Sequence, residues 1–274
     1  MHRPMARRPG MPAWRAVALA AVALAAAALF AAAPACAEAP VPRALYTASV
    51  IVTGTDMRER PDGLAECLRR VLVKLSGNPA LAADPRVAPI AARAAQMVDD
   101  LVYLDRMSDV PRGDEQGSRD RPQDLIAHFD PARVDAALGS LGERPWIASR
   151  PTLIARIAVR GRAANEDVPL TADDEEVERL RRAMLDAAAR YGMVVVLPMA
   201  SPADAPQTGI SPDMVSLSGK LVWSDRAFGW VGRWQLRWRG RDYGWGISGV
   251  SFDDAFRDAV SGAMQILSGH GAPR

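Results

Sequence analysis

The sequence predicts an α+β protein built as two small lobes of mixed and antiparallel sheet packed with helices. Strand–helix units alternate through most of the chain, three consecutive strands follow them, and one helix closes the chain. We place an N-terminal α+β lobe at residues 38–165 and a C-terminal α+β lobe at residues 166–274. The second lobe holds a tryptophan-rich β-meander and the closing helix. A leader, residues 1–37, precedes both lobes.

The leader has the pattern of a secretory signal peptide. Four arginines precede an apolar run over residues 16–33, and Ala35 and Ala37 form an A-x-A cleavage site. We expect export to the periplasm with cleavage after Ala37. One alternative is an inner-membrane anchor formed by residues 16–33, since this run is near the lower length limit for spanning a bilayer. Another is lipid attachment at Cys36.

The charge balance depends on this leader. The full chain has 34 Lys and Arg against 32 Asp and Glu, a net charge of +2. Loss of the four leader arginines leaves 30 against 32, so the net charge becomes −2. We therefore predict no nucleic-acid partner.

After cleavage of the leader, Cys67 would be the one remaining cysteine, which excludes an intramolecular disulfide. Its apolar neighbours favour burial.

Hydrophobic spacing and helix-end residues define the first elements. Residues 45–52 form a strand, and Pro61 opens a helix that Gly77 ends. A second helix begins at Asp84-Pro85, and residues 98–104 form another strand. The apolar stripe of the first helix consists of Leu64, Leu68, Val71, Leu72 and Leu75.

The middle elements follow from the same signals. Residues 107–122 are polar and rich in Gly and Pro, which predicts a loop. A strand over residues 125–129 leads to Asp130, which caps a helix that ends at Gly142. Residues 151–159 alternate in the manner of a strand.

The next predicted element is a helix that ends at Gly192. Thr171 caps its start, in a capping-box variant with Asp174. Residues 193–197 read as a buried strand, and residues 199–213 as a Pro-rich loop. Three strands over residues 215–223, 229–239 and 243–250 come next. Ser251 then caps the closing helix.

The tryptophans of the meander admit two interpretations. Either they form the core under the closing helix, which we favour, or they form a platform that binds sugars, peptides or lipid. On the opposite face Arg233, Arg237 and Arg239 form a solvated surface, or one that meets acidic lipid headgroups or a partner. The tryptophans concerned are Trp223, Trp230, Trp234, Trp238 and Trp245.

The sequence offers no pattern that predicts catalytic, cofactor-binding or metal-binding residues, so we predict none of these. His128 lies on a predicted strand and is interpreted as structural. His270 lies in a tail that we expect to fray. Acidic pairs are explained by helix starts, although hydrolases can use carboxylates that are far apart in the sequence.

Several short motifs stand out in this chain: Leu72–Pro79, Phe129–Pro131 with Val134 and Leu138, Pro145-Trp146, Ser149–Pro151, and Val196–Pro198. Together they resemble a bacterial exported family, the domain of unknown function DUF2066. The resemblance implies export and a shared fold, and it brings no activity or catalytic residues. We explain Arg150, the polar motif residue without an evident local role, by a buried ion pair.

These observations favour a non-enzymatic periplasmic protein that binds another envelope component, with an envelope protein as the expected partner. The alternative is a hydrolase of envelope glycan or peptide that uses dispersed carboxylates. Membrane contact is expected only through the leader, if it stays uncleaved.

Overall fold

The computed structural model describes residues 43–109, 121–200 and 213–273. Within these ranges two β-sheets pack with five α-helices and three short 3₁₀ helices, so the predicted α+β class is confirmed. The predicted leader, residues 110–120 of the first predicted loop and residues 201–212 of the second lie outside the described residues. The helices of the described ranges include none long and apolar enough to cross a membrane.

The first sheet is antiparallel, with its strands in the order β1-β3-β2. Helix α1 (Arg60–Ser76) covers its inner face. Gly63 allows the close approach, because a Cβ atom there would come within 2.7 Å of Leu125 Cδ2. Cys67 is fully buried between helix and sheet, as predicted, and burial raises the pKa of its thiol to about 12. The strands are β1 (Thr47–Thr53), β2 (Val98–Asp105) and β3 (Pro122–Phe129).

The second sheet has the order β5-β4-β7-β8-β9, and β6 pairs with the start of β4. Strands β4 and β7 are parallel, whereas β7, β8 and β9 form the predicted antiparallel meander. Strand β4 precedes residue 165 and lies in this sheet, and the division of the chain into two domains stays a prediction. The strands are β4 (Thr152–Arg160), β5 (Val168–Pro169), β6 (Val195–Val196), β7 (Met214–Ser224), β8 (Gly229–Trp238) and β9 (Arg241–Val250).

Capping residues and glycines in the sequence predicted several helix ends correctly. Asp130 Oδ1 accepts a hydrogen bond from Arg133 N at 2.9 Å, and Ser251 Oγ accepts one from Asp254 N at 3.1 Å. Gly77, with a φ of 73°, ends α1. The other helices are α2 (Val87–Ala91), α3 (Pro131–Ser140), α4 (Glu178–Tyr191) and α5 (Phe252–Leu267), with 3₁₀ helices at Arg43–Tyr46, Pro79–Ala83 and Ala94–Met97.

Three predicted elements are wrong in part. Thr171 caps no helix, because its Oγ1 is buried without a hydrogen-bond partner among the described residues and α4 begins only at Glu178. The predicted buried strand over residues 193–197 is shorter in the structure: only β6 (Val195–Val196) is a strand, and Val196 is exposed. The predicted second helix is interrupted after α2, where the chain tightens into the 3₁₀ helix Ala94–Met97.

Candidate binding face

A groove of about 1130 Å³ lies over the outer face of the second sheet, the face turned away from α5. Side chains alternate between the two faces of a strand, so the residues between the buried ones line this groove. We name it the basic groove, after the polar side chains that line it: Arg156 of β4, Ser218 and Lys220 of β7, and Arg233 and Gln235 of β8.

Strand register places these side chains in two adjacent rows. In one row Lys220 lies directly opposite Arg233, and Arg233 lies opposite Gly246. The neighbouring row runs from Arg156 through Ser218 and Gln235 to Gly244. Because β9 contributes only glycines to both rows, no side chain of β9 covers these two rows, and Ser248 of β9 lines the groove beyond them. Pro169, Leu170 and Pro198 line its other side.

The charges in the groove are mostly uncompensated. Like charges directly opposite each other on neighbouring strands are destabilising, and Lys220 and Arg233 are such a pair. Asp167 Oδ2 lies 2.5 Å from Lys220 Nζ, and this hydrogen bond lowers the pKa of the Asp167 carboxyl. Arg156 and Arg233 are exposed, and neither takes part in an ion pair within the described ranges.

The chemistry of the groove is that of hydrogen-bond donation to an anion. Guanidinium, ammonium, hydroxyl and amide groups can all donate to carboxylate or phosphate oxygens. The described residues that line it include no carboxylate, imidazole or thiol. This set suits binding of an anionic group better than acid–base or nucleophilic catalysis.

The predicted solvated arginine surface is confirmed, because Arg233, Arg237 and Arg239 are all exposed, and of the three only Arg233 lines the basic groove. Arg237 Nε lies 3.7 Å from Asp242 Oδ1, and Arg239 stacks over the Trp238 ring at 5.5 Å from its centroid. Arg239 and Gly240 both have positive φ, which is typical of a type I′ hairpin turn. Sequence reasoning missed Arg156 and Lys220, which lie on the polar faces of their strands but are far from Arg233 in sequence.

The tryptophan face belongs to the core where α5 covers it. Trp234 is 1% exposed, and its Nε1 donates to Asp258 Oδ2 at 2.9 Å. Trp230 packs edge-on against Phe252, and Trp245 Nε1 donates to the Asp258 carbonyl at 3.3 Å. Burial raises the pKa of the Asp258 carboxyl. The core interpretation is therefore confirmed for Trp234, whereas Trp230 and Trp245 are half-buried beside α5, and Trp223 and Trp238 are also half-buried.

His128 has a structural contact, as predicted, because its Nδ1 lies 2.8 Å from Thr47 Oγ1 on the neighbouring strand.

The expectation that the tail around His270 frays is wrong. His270 Nδ1 lies 2.9 Å from Ser268 Oγ, and its Nε2 lies 3.1 Å from Glu143 Oε2. Ser268 Oγ also lies within hydrogen-bond distance of the Gly77 and Gln265 carbonyls, so this serine ties the end of α5 to the end of α1.

The ion pair predicted for Arg150 is wrong, because its partners are backbone carbonyls. Its guanidinium donates to Trp146 O at 2.7 Å, to Tyr191 O and Gly192 O at 3.1 Å each, and to Lys74 O. These carbonyls include those at the C-terminal ends of α1 and α4, where a cation is favoured. Arg150 therefore joins two helix ends, and burial lowers its pKa to about 10.

Lys74 is the second buried cation at this place. Its side chain donates to Thr47 O at 2.7 Å and to Ala44 O at 3.1 Å. Burial, and then repulsion by Arg150 and Arg190, lowers the pKa of Lys74 to about 8. We call Lys74, Arg150 and the carbonyls that they contact the cation junction. The described residues contain no cluster of three or more potential metal ligands.

Residues 39–147 match one family model, described as a domain of unknown function (DUF8605). The predicted resemblance to DUF2066 is therefore wrong, since the matching model is that of a different domain. The motifs misled because they mark helix ends: Gly77 ends α1, and Asp130 caps α3. No curated protein and no solved structure matches the chain. The matched range holds the first sheet and ends before β4, so it excludes the basic groove.

Proposed function

We propose that this chain is a non-enzymatic binding module of the cell envelope that recognises an acidic protein segment through the basic groove. The observation that carries the proposal is the direct opposition of Lys220 and Arg233, with Arg156 in the adjacent row. Asp167 offsets the charge of Lys220 in part, but Arg156 and Arg233 have no ion-pair partner within the described ranges, so a ligand that supplies negative charge would offset the remaining repulsion. The location in the envelope rests on the leader pattern of residues 1–37 alone.

The shape of the groove supports a protein segment as the ligand. The groove is open along β9, where Gly244 and Gly246 leave the backbone without side-chain cover. An extended chain could lie across the strands there, with its acidic side chains over the cationic rows. Ser218 and Gln235 add neutral donors and acceptors that suit backbone amides.

The test is binding of a fluorescent poly-L-glutamate probe to the purified protein at several salt concentrations. We expect saturable binding that weakens as salt rises, because the contacts are between charges at a surface. The double variant Arg156→Ala/Arg233→Ala should weaken binding by about tenfold, which corresponds to about 1.4 kcal/mol. The control Arg93→Ala/Arg179→Ala removes two exposed arginines elsewhere and should change binding less than twofold.

A second variant tests the shape of the groove without removing charge. A Cβ atom added at Gly244 would be 3.8 Å from its nearest neighbour, so Gly244→Leu fits the strand and fills the open side. We expect it to weaken binding as strongly as the double arginine variant. The proposal is contradicted if poly-glutamate does not bind, or if the control variant loses as much affinity. Preference for anionic vesicles over the polypeptide would overturn the assignment to a protein ligand.

The hydrolase alternative stays a prediction. Carboxylates do meet in a second groove, which is lined by Glu59, Asp62, Glu66 and Asp124. Two of these are held by arginines: Glu66 Oε1 lies 2.8 Å from Arg70 Nε, and Asp124 Oδ1 lies 3.7 Å from Arg106 Nη1.

A further inference from the structure

The first sheet has an open edge. Strand β1 pairs with β3 on one side, and no strand of the described ranges pairs with its other side. Backbone groups of alternate residues point to the same side of a strand. Ser49 O accepts a hydrogen bond from Arg70 Nη1 at 2.7 Å, so Ile51 and Thr53 direct their N–H and C=O groups to the open side. Unpaired edges of this kind are templates for another strand.

A groove of about 780 Å³ lies along this edge, lined by residues 49–53 of β1 and one stripe of α1. Ile51 alternates with the buried Val50, so its side chain lies on the face of the sheet away from α1, where it is 61% exposed at the open edge. The groove has an acidic part and a basic part. Asp62 and Glu66 lie towards the start of α1, whereas Arg70 lies one turn further along the helix.

Three arginines from three helices meet in the basic part: Arg70 of α1, Arg190 of α4 and Arg257 of α5. Burial lowers the pKa of Arg190, and repulsion by Arg70 and Arg257 lowers it further. Arg70 is paired with Glu66 and Arg257 with Asp254, each at 2.8 Å. Arg190 hydrogen-bonds to the Tyr191 side chain but takes part in no ion pair within the described ranges, so its charge is not neutralised by a carboxylate.

We propose that the open edge of β1 and the cluster of Arg70, Arg190 and Arg257 form a second binding site, which takes an extended peptide of another protein that carries a carboxylate. The peptide adds a short strand to β1 and hydrogen-bonds to the backbone of Ile51 and Thr53. Its carboxylate lies against Arg190. Main-chain pairing supplies affinity, as in other cases of strand addition, and here the charge pair with Arg190 supplies specificity. This site is separate from the basic groove.

The test compares two fluorescent probes on the purified protein. One is a peptide of alternating Thr and Val that ends in Glu with a free C-terminal carboxylate. The other ends in Gln and is amidated. We expect the Glu peptide to bind at least about tenfold more tightly, because only it offers carboxylates to Arg190. Bound Glu peptide should also slow hydrogen exchange at the amides of Ile51 and Thr53.

Variants separate the two parts of the site. Arg190→Gln should abolish the preference for Glu, whereas Arg179→Gln, an exposed position on the same helix, should leave it unchanged. Ile51→Pro removes an edge donor without touching the pairing with β3, and should weaken both probes. If Ile51→Pro perturbs folding, Arg190→Gln and the exchange experiment still decide the matter.

Failure of the Glu peptide to bind, or binding that survives Arg190→Gln, would overturn the proposal. Self-association that Ile51→Pro abolishes, without peptide binding, would identify a second copy of the chain as the occupant and would also overturn it. Because poly-glutamate binding at the basic groove depends on Arg156 and Arg233, the two proposals can fail independently.

Discussion

Cations occupy two regions of this chain in opposite ways. In the cation junction Lys74 and Arg150 are largely removed from water, and backbone carbonyls accept their hydrogen bonds. In the basic groove Arg156 and Arg233 are exposed and lack an ion pair within the described ranges, and Lys220 faces Arg233 directly. Matched buried donors stabilise the fold, whereas exposed and opposed ones remain available to a ligand.

The largest expected effect on stability is that of Arg150→Met. This change leaves four carbonyl oxygens without their charged donor, so we expect a loss of about 3 kcal/mol in the free energy of unfolding. Urea denaturation measures it. Arg150→Lys is the matched control and should restore part of the loss, because it keeps the charge but has fewer donors. A loss below about 1 kcal/mol for Arg150→Met would show that the junction contributes little.

The second effect is a pH dependence carried by Lys74. Its pKa of about 8 in the folded chain is below the 10.5 of an ordinary lysine, so the unfolded chain binds more protons between these values. The stability of the native protein, measured relative to Lys74→Met, should therefore rise from pH 8 to pH 10, by roughly 2 kcal/mol. Taking the difference cancels the titration of other groups such as Cys67. A flat or falling difference would contradict the burial of this charge.

The smallest effect on stability is expected for Arg233→Ala in the basic groove. The change should leave the free energy of unfolding within about 0.5 kcal/mol of the native value, with a tendency to increase it, because it relieves the repulsion with Lys220. Urea denaturation at low salt is the sensitive measurement. A clear loss of stability would mean that Arg233 has a structural role like that of Arg150.

The sequence predicts elements whose signals are local and misses contacts that depend on strand order. Gly77, Asp130 and Ser251 mark helix ends through their own backbone or side-chain chemistry, and all three positions are correct. The alternation in β8 also predicted correctly which face is buried. Thr171 carries the same local signal as Ser251, yet its Oγ1 is buried and accepts no capping hydrogen bond from the described residues, and α4 begins only at Glu178.

The candidate site depends on strand order. The parallel pairing of β4 with β7 brings Arg156 beside Ser218, and no short-range pattern indicates which strands are neighbours. The carbonyl partners of Arg150 are equally remote, since Tyr191 lies 41 residues away in sequence. Arg233 could be identified as exposed from alternation alone, but its opposition to Lys220 required the register.

The most direct test of the basic groove uses the lysines, because the sequence contains only Lys74 and Lys220. Acetylation by an N-hydroxysuccinimide ester, read by mass spectrometry, compares the two with and without bound poly-L-glutamate. Lys220 is half-exposed and should lose most of its reactivity when the probe is bound, while the buried Lys74 stays unreactive in both conditions. Lys220 that reacts equally fast with the probe bound would place the acidic ligand elsewhere on the protein.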